Sequence, residues 1–203
     1  MNIMKMIKLG LVLALFATAA CVMLAFVYSF TTDIIEKNSQ AALDEALKEL
    51  FPDADNFLEI DAITSPDPSV KIEAAFAAII GNDNPEGINP IGVALTVSRA
   101  SYSGPIKTMV GVNTEGFITG VKVLEHTDTP GLGANAASPS YFVDRANGIT
   151  FYGQFAGKKV SDPFAVKDDI IIITASTVTS RAVSDSVKAA ALAANAWLKG
   201  RSE

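Results

Sequence analysis

Seven consecutive residues, Thr174-Ala175-Ser176-Thr177-Val178-Thr179-Ser180, put a dense row of hydroxyls between the apolar run Ile170 to Ile173 and an alanine-rich helical pattern. A helix start carries unpaired backbone N–H groups and a partial positive charge, so hydroxyls gathered there sit where a phosphate is stabilised. Arg181 adds a formal positive charge beside them. Ser and Thr also satisfy orphan N–H groups at ordinary helix starts. Taken alone, the run is therefore read first as capping and turn chemistry.

A second constellation is Glu125-His126-Thr127-Asp128-Thr129-Pro130-Gly131-Leu132-Gly133. Pro130 pre-sets φ, and Gly131 and Gly133 permit left-handed conformations and close backbone approach, so this loop can lie against a flat ring or near phosphate oxygens. Leu132 supplies apolar surface. By itself the segment is also ordinary Pro-Gly turn chemistry, and a lone His is more often a surface or capping residue than a catalyst. A third segment, Phe151-Tyr152-Gly153-Gln154-Phe155-Ala156-Gly157-Lys158, follows.

These three segments resemble, in order and spacing, the FMN-binding subunits of Rnf-type and sodium-translocating NADH:quinone reductase complexes. The run from Thr174 is similar to their flavinylation motif S/T-G-A-T-x-T-S, the run from Glu125 to E-H-x-E-T-P-G-L-G with Asp128 in place of Glu, and the run from Phe151 to F-x-x-Q-F-x-G-K. The resemblance implies FMN joined through its phosphate to the hydroxyl of Thr177, with Ser176 and Thr179 as the alternative hydroxyls. It also implies that Thr174, Ala175, Ser176, Thr179 and Ser180 surround the linkage. The Thr129, Pro130, Gly131, Leu132, Gly133 loop is expected over the isoalloxazine, with His126 nearby. The usual Gly-Ala pair is here Ala175-Ser176, and the Asp often found three residues before the first motif hydroxyl falls on Ile171. If the Gly position needs positive φ, Ala175 costs roughly 1 kcal/mol there.

The elements that must position these residues begin with an anchor. Leu9 to Phe30 carries no charged residue and as a helix reaches about 33 Å, enough to cross a bilayer core. A cleaved signal peptide ending near Ala17-Thr18-Ala19-Ala20, or a lipoprotein modified at Cys21, competes with this reading. Both leave the apolar run continuing past the cleavage point, which favours a retained transmembrane helix. Lys5 and Lys8 on the short side, against Asp33, Glu36 and Lys37 on the other, orient residues 1–8 to the cytoplasm and the bulk of the chain outward. Setting those two lysines aside from the 16 cations and 22 acids leaves the remainder at −8. That balance argues against nucleic acid or anionic lipid surfaces as partners. The single cysteine lies in the anchor and there is one histidine, so disulfides, thiolate chemistry, Cys-based metal sites and multi-His sites are excluded from the exported part.

Residues 31–55 read as a membrane-proximal helix and connector: Ile35, Ala42, Leu43, Ala46, Leu47 and Leu50 form an amphipathic stripe that Pro52 ends. Residues 56–203 read as one FMN-binding domain. In it Phe57 to Ile63 and Val70 to Ile80 read as strands or a strand-helix mixture, Ile91 to Ala100 and Ile106 to Asn113 are β-rich, and residues 82–90 form a Pro/Gly loop. Phe117 to Glu125 pairs back across Gly116 as a hairpin. Ile170 to Ile173 is expected as a buried strand. Ser180 to Leu198 is expected as a helix with Val183, Val187, Ala190, Ala194 and Trp197 on one face. The order gives an α+β fold with an antiparallel, hairpin-containing sheet and flanking helices.

No catalytic base and nucleophile pair is recognisable, and the resemblance implies an electron carrier within a redox-driven ion translocase, the flavin supplying the chemistry. The first reading is the G subunit of an Rnf-type ferredoxin:NAD oxidoreductase. Its implied partners are other membrane proteins of the complex, including a second FMN carrier, a flavin transferase during maturation, and lipid around one helix. The C subunit of the sodium-translocating NADH:quinone reductase is the near alternative, disfavoured because it is usually longer. A membrane-anchored scaffold module without cofactor is the alternative of another class.

Overall fold

The computed structural model describes residues 3–61, 63–81 and 90–200. Helix α1, Ile3–Leu50, is one unbroken element that is long and apolar enough to cross a membrane, and its apolar window is wholly unburied. Five strands follow, β1 Asn56–Glu59, β2 Val70–Ile79, β3 Pro90–Ala100, β4 Pro105–Asn113 and β5 Ile118–Glu125, then β6 Phe142–Asp144, β7 Ile149–Thr150 and the terminal helix α2, Thr177–Gly200. The first five form one antiparallel sheet in chain order, and β6 pairs with β7 separately. The expected α+β architecture holds. Residues 82–89, most of the expected Pro/Gly loop, lie outside the described residues.

The chain divides into two compact units, Met1–Leu43 and Asp44–Glu203. In the first unit, apolar residues from Leu9 to Phe30 are exposed over more than two-fifths of their surface, as an anchor's lipid-facing side chains are outside a bilayer.

In the second unit, α2 packs on one sheet face. Val183, Val187, Ala190 and Ala194 are fully buried in one cluster with Val93, Leu95, Val97, Val110 and Val112, as the spacing of four, three and four predicts. Trp197 is partly buried at the edge of the same cluster. The β4–β5 hairpin turns at Gly116, whose φ of 80° is the conformation that glycine adopts without strain.

The opposite sheet face is covered by Ala46, Leu47, Leu50 and Phe51, all buried. Glycines make that seat. Gly111 pairs directly with Gly120 across β4 and β5, and a Cβ at Gly111 would lie 3.0 Å from the Phe51 ring and 3.1 Å from Leu50. A Cβ at Gly92 would meet the same ring at 2.7 Å or less. An ion pair from Lys122 Nζ to Glu49, 2.5 Å, closes the edge of this contact.

Two local expectations change. Ile170 to Ile173 is not a strand: Ile170 and Ile173 are buried, but the segment makes only an isolated bridge, Val166 to Ile170. Its backbone is paired instead by a side chain. Gln154 Oε1 accepts from the Ile171 N–H at 2.8 Å, and Gln154 Nε2 donates to the Ile171 carbonyl at 3.1 Å. Helix α2 also starts at Thr177, three residues before the expected Ser180. Ser180 is drawn inside the helix because its Oγ donates to the Ser176 carbonyl at 2.9 Å while accepting from the Ile173 N–H at 3.0 Å.

Phe51 is 4% exposed and seated on glycine backbone, so the glycines beneath it have no side chain with which to fill its space. Phe51→Ala is expected to cost about 3 kcal/mol or more, measured by chemical denaturation followed through Trp197 fluorescence. A loss under about 1 kcal/mol would show that the seat contributes little.

Candidate functional site

The hydroxyl turn, the Pro-Gly loop and the β3–β4 turn meet around one cleft of about 470 Å³, lined by Tyr102, Asp128, Thr129, Leu132, Gly133 and residues 175–179. That volume lies within the roughly 300–1,000 Å³ range of small-molecule sites. Its rim is apolar: Tyr102, Leu132 and Val178 are all exposed.

Asp128 holds the three segments together. Its Oδ2 accepts from Ser101 Oγ at 2.7 Å and from Thr179 Oγ1 at 2.7 Å, and its Oδ1 accepts from the Ser103 N–H at 3.0 Å. Burial pushes the Asp128 carboxyl up, but the Ser101 and Thr179 hydroxyls, the Ser103 amide and the nearby His126 outweigh it and hold the group below its usual range. Gly133 is required by close approach. A Cβ there would lie 2.6 Å from Thr179 Oγ1 and 2.7 Å from Asp128 Oδ2, wedging the hydrogen bond apart. Gly131 supplies the turn, with φ of 77° and its carbonyl accepting from Asn135 Nδ2 at 3.0 Å.

On the other wall, the chain reaches α2 through Ala175, whose φ is 61°. This is the left-handed region that a Cβ disfavours by about 1–2 kcal/mol, and the alanine occupies the position where the resembled motif has glycine. The first intrahelical bond runs from the Ser180 N–H to the Ser176 carbonyl at 3.0 Å. The N–H groups of Thr177, Val178 and Thr179 therefore precede it and lack a helical partner. No hydroxyl of this turn caps those groups among the described residues: Thr179 is turned to Asp128 and Ser180 to Ile173 and Ser176. Thr177, half-buried in the cleft wall, makes no side-chain hydrogen bond among the described residues. The capping explanation of the run is thus not the one the fold uses.

Of the sequence-derived residues, Thr177, Ala175, Ser176, Thr179, Thr129, Leu132 and Gly133 line the cleft. Thr174, Pro130, Gly131, Ser180 and His126 are not part of its lining. Thr174, Pro130 and Gly131 are exposed beside it, Ser180 is buried behind the turn, and His126 is half-buried with its Nδ1 unpartnered. Sequence reasoning missed Ser101, Tyr102 and Ser103, to which it gave no role, and it gave Asp128 no holding role. The one signal was a carboxylate preceding a Thr-Pro-Gly loop. The third motif is a brace: Phe151 and Phe155 are fully buried, Gln154 pins Ile171, and Lys158 pairs with Asp169 at 3.4 Å.

Two outcomes follow from this geometry. Ala175→Gly relieves the left-handed strain and is expected to stabilise the chain by about 1 kcal/mol in denaturant titrations; a destabilisation would contradict the strained turn. Asp128, with its folded pKa below the ordinary 3.8, contributes stability above that value and loses it as pH falls through the folded pKa. The stability advantage of wild type over Asp128→Asn should therefore shrink as pH falls below about 4, where a pH-independent difference would show that the carboxylate is not ionised in the fold.

Comparisons with known proteins identify the family. Residues 101–192 match the FMN-binding domain family and residues 1–50 match the RnfG N-terminal region. The first match spans the β3–β4 turn, the Pro-Gly loop and most of α2. The G subunit of the ion-translocating oxidoreductase complex of Shewanella piezotolerans is 33% identical over 196 residues, covering 93% of this chain and 89% of that one. Its counterpart in Vibrio atlanticus is 34% identical over 193 residues, covering 90% and 87%. The G subunit of the Na(+)-translocating ferredoxin:NAD(+) oxidoreductase complex of Acetobacterium woodii is 28% identical over 193 residues, covering 89% and 87%. Among solved structures, Shewanella oneidensis NqrC aligns with a TM-score of 0.44 at 17% identity, covering 74% of this chain and 73% of that one. With an FMN-binding domain behind an RnfG-type N-terminal region, and relatives matched over almost their whole length, the chain belongs to the G-subunit family of ion-translocating oxidoreductase complexes.

Proposed function

We propose that this chain is the electron carrier of a membrane-bound, ion-translocating ferredoxin:NAD oxidoreductase complex, with FMN joined by a phosphoester to Thr177. The observation that carries the reading is the Thr177 hydroxyl itself. It lies in the cleft wall, free of internal hydrogen bonds among the described residues, at a helix start whose first N–H groups have no side-chain cap. A phosphodiester there keeps one negative charge, which those N–H groups and the helix dipole stabilise. Arg181, exposed one turn further along α2, adds to the same field.

The residues present fit the group. Tyr102, Leu132 and Val178 offer apolar surface to a planar ring system, and the Thr129 to Gly133 loop offers backbone polar groups at its edge. When bound, FMN supplies reversible electron uptake and release. The chain's own part is to hold it, orient it and keep it from leaving. A covalent tether does the last of these without requiring non-covalent affinity, which matters on the outer side of a membrane, where a dissociated cofactor is lost by dilution.

In this reading α1 spans the membrane with residues 1–8 in the cytoplasm and the domain outside. The helix contacts lipid and other members of the complex, one of them carrying a second FMN. A flavin transferase makes the ester during maturation. Two relatives are named as G subunits of ion-translocating oxidoreductase complexes and a third as the G subunit of a Na(+)-translocating ferredoxin:NAD(+) oxidoreductase complex, which favours the ferredoxin:NAD complex over the quinone reductase.

Co-expression with a flavin transferase should give a denatured chain that fluoresces on a gel and gains the mass of one FMN less one water. Thr177→Ala should lose both signals. Label surviving that substitution would move the linkage to Ser176 or Thr179, and a wild-type chain that never takes label would overturn the covalent reading.

A further inference from the structure

Asp128 is an unusual carboxylate for its position. It is 6% exposed and forms part of the same cleft as Thr177, yet no Lys or Arg lies within ion-pair distance of it among the described residues. Its three partners, Ser101 Oγ, Thr179 Oγ1 and the Ser103 N–H, are all neutral donors. Such donors favour the ionised form without cancelling its charge. His126, two residues away, attracts it only through space. Three of the cations on the sheet are paired with other acids: Arg99 with Asp185 at 2.7 Å and Asp67 at 3.6 Å, Lys107 with Glu73 and Glu125, and Lys122 with Glu49.

These hydrogen bonds account for Asp128 as a clamp, but they leave its charge in place. A charge retained without a counter-ion acts on whatever shares the cleft. We propose that Asp128 serves as a fixed anion in the cleft wall that lowers the reduction potential of the flavin bound there, a positioning and tuning role that rests on the FMN reading above. Reduction adds negative charge to a flavin, and a neighbouring carboxylate in a partly water-excluded cleft opposes it. At the effective dielectric of protein interiors, one charge a few ångströms to a nanometre away changes such an equilibrium on the order of tenfold or more. Nothing is transferred to or from Asp128.

The test is a spectroelectrochemical titration of the full-length chain in detergent, labelled by a co-expressed flavin transferase. Asp128→Asn keeps an acceptor oxygen and removes the charge; it should move the midpoint upward by an amount equal to about tenfold or more in the reduction equilibrium. Asp128→Glu keeps the charge and should stay within about threefold of wild type. Asp144→Asn, a neutralised surface acid on β6 outside the cleft, should not move it. If Asp128→Asn does not fold, Asp128→Ser removes the same charge with a smaller side chain. A labelled Asp128→Asn with the wild-type midpoint, or an Asp128→Glu shifted as far as Asp128→Asn, overturns this inference alone. Absence of label on the wild-type chain overturns the covalent reading, and this inference with it.

Discussion

One carboxylate decides whether the cleft exists. Asp128 receives hydrogen bonds from the β3–β4 turn and from the first turn of α2, while its own backbone leads into the Pro-Gly loop. Three segments distant in sequence thus converge on two oxygen atoms. Charge-assisted bonds of this kind are roughly twice as strong as neutral ones, and because the site is buried they are little weakened by water. The absence of side-chain bulk at Gly133 is the other half of the constraint, since any Cβ there would stand between Asp128 and Thr179.

The rest of the fold delivers backbone to that point. On one sheet face α2 is clamped by small and β-branched residues, which fixes where its first turn emerges. On the other face, the glycine seat for Leu50 and Phe51 ties the chain emerging from α1 directly to β3, β4 and β5. The approach to the hydroxyl turn is held by Gln154, whose amide pairs both backbone groups of Ile171 and so replaces the neighbouring strand this segment lacks. A Gln side chain can do this because it carries a donor and an acceptor in the same spacing as a peptide group.

What is legible in the sequence is periodic or punctuated. The α2 face, the β4–β5 hairpin at Gly116 and the apolar anchor each rest on a repeat or a turn signal that physics allows few ways to satisfy. The hydroxyl turn and the Pro-Gly loop are legible as motifs, and both line the cleft. Ile170 to Ile173 misleads because a short apolar run looks the same whether its backbone is paired by a strand or by a side chain. Helix α2 begins earlier than its residues suggest because hydroxyl side chains usually mark the boundary, whereas Thr179 and Ser180 are already helical and send their hydroxyls elsewhere. Ser101 and Ser103 are invisible because their role comes from hydrogen bonds to Asp128, 27 and 25 positions away, and Tyr102 because it lines a cleft completed by residues distant in sequence; a single sequence carries no mark of such contacts. Ala175 shows the limit of local rules: the chain keeps a left-handed turn with a residue that is strained in adopting it.

On the proposed reading, the convergence on Asp128 offers the Thr177 hydroxyl to the FMN phosphate. Peptide mapping of the flavin-loaded wild-type protein by tandem mass spectrometry tests this most directly. The added mass is expected on Thr177 alone, with Thr174, Ser176, Thr179 and Ser180 unmodified. Modification on any of those four, with Thr177 bare, would contradict it.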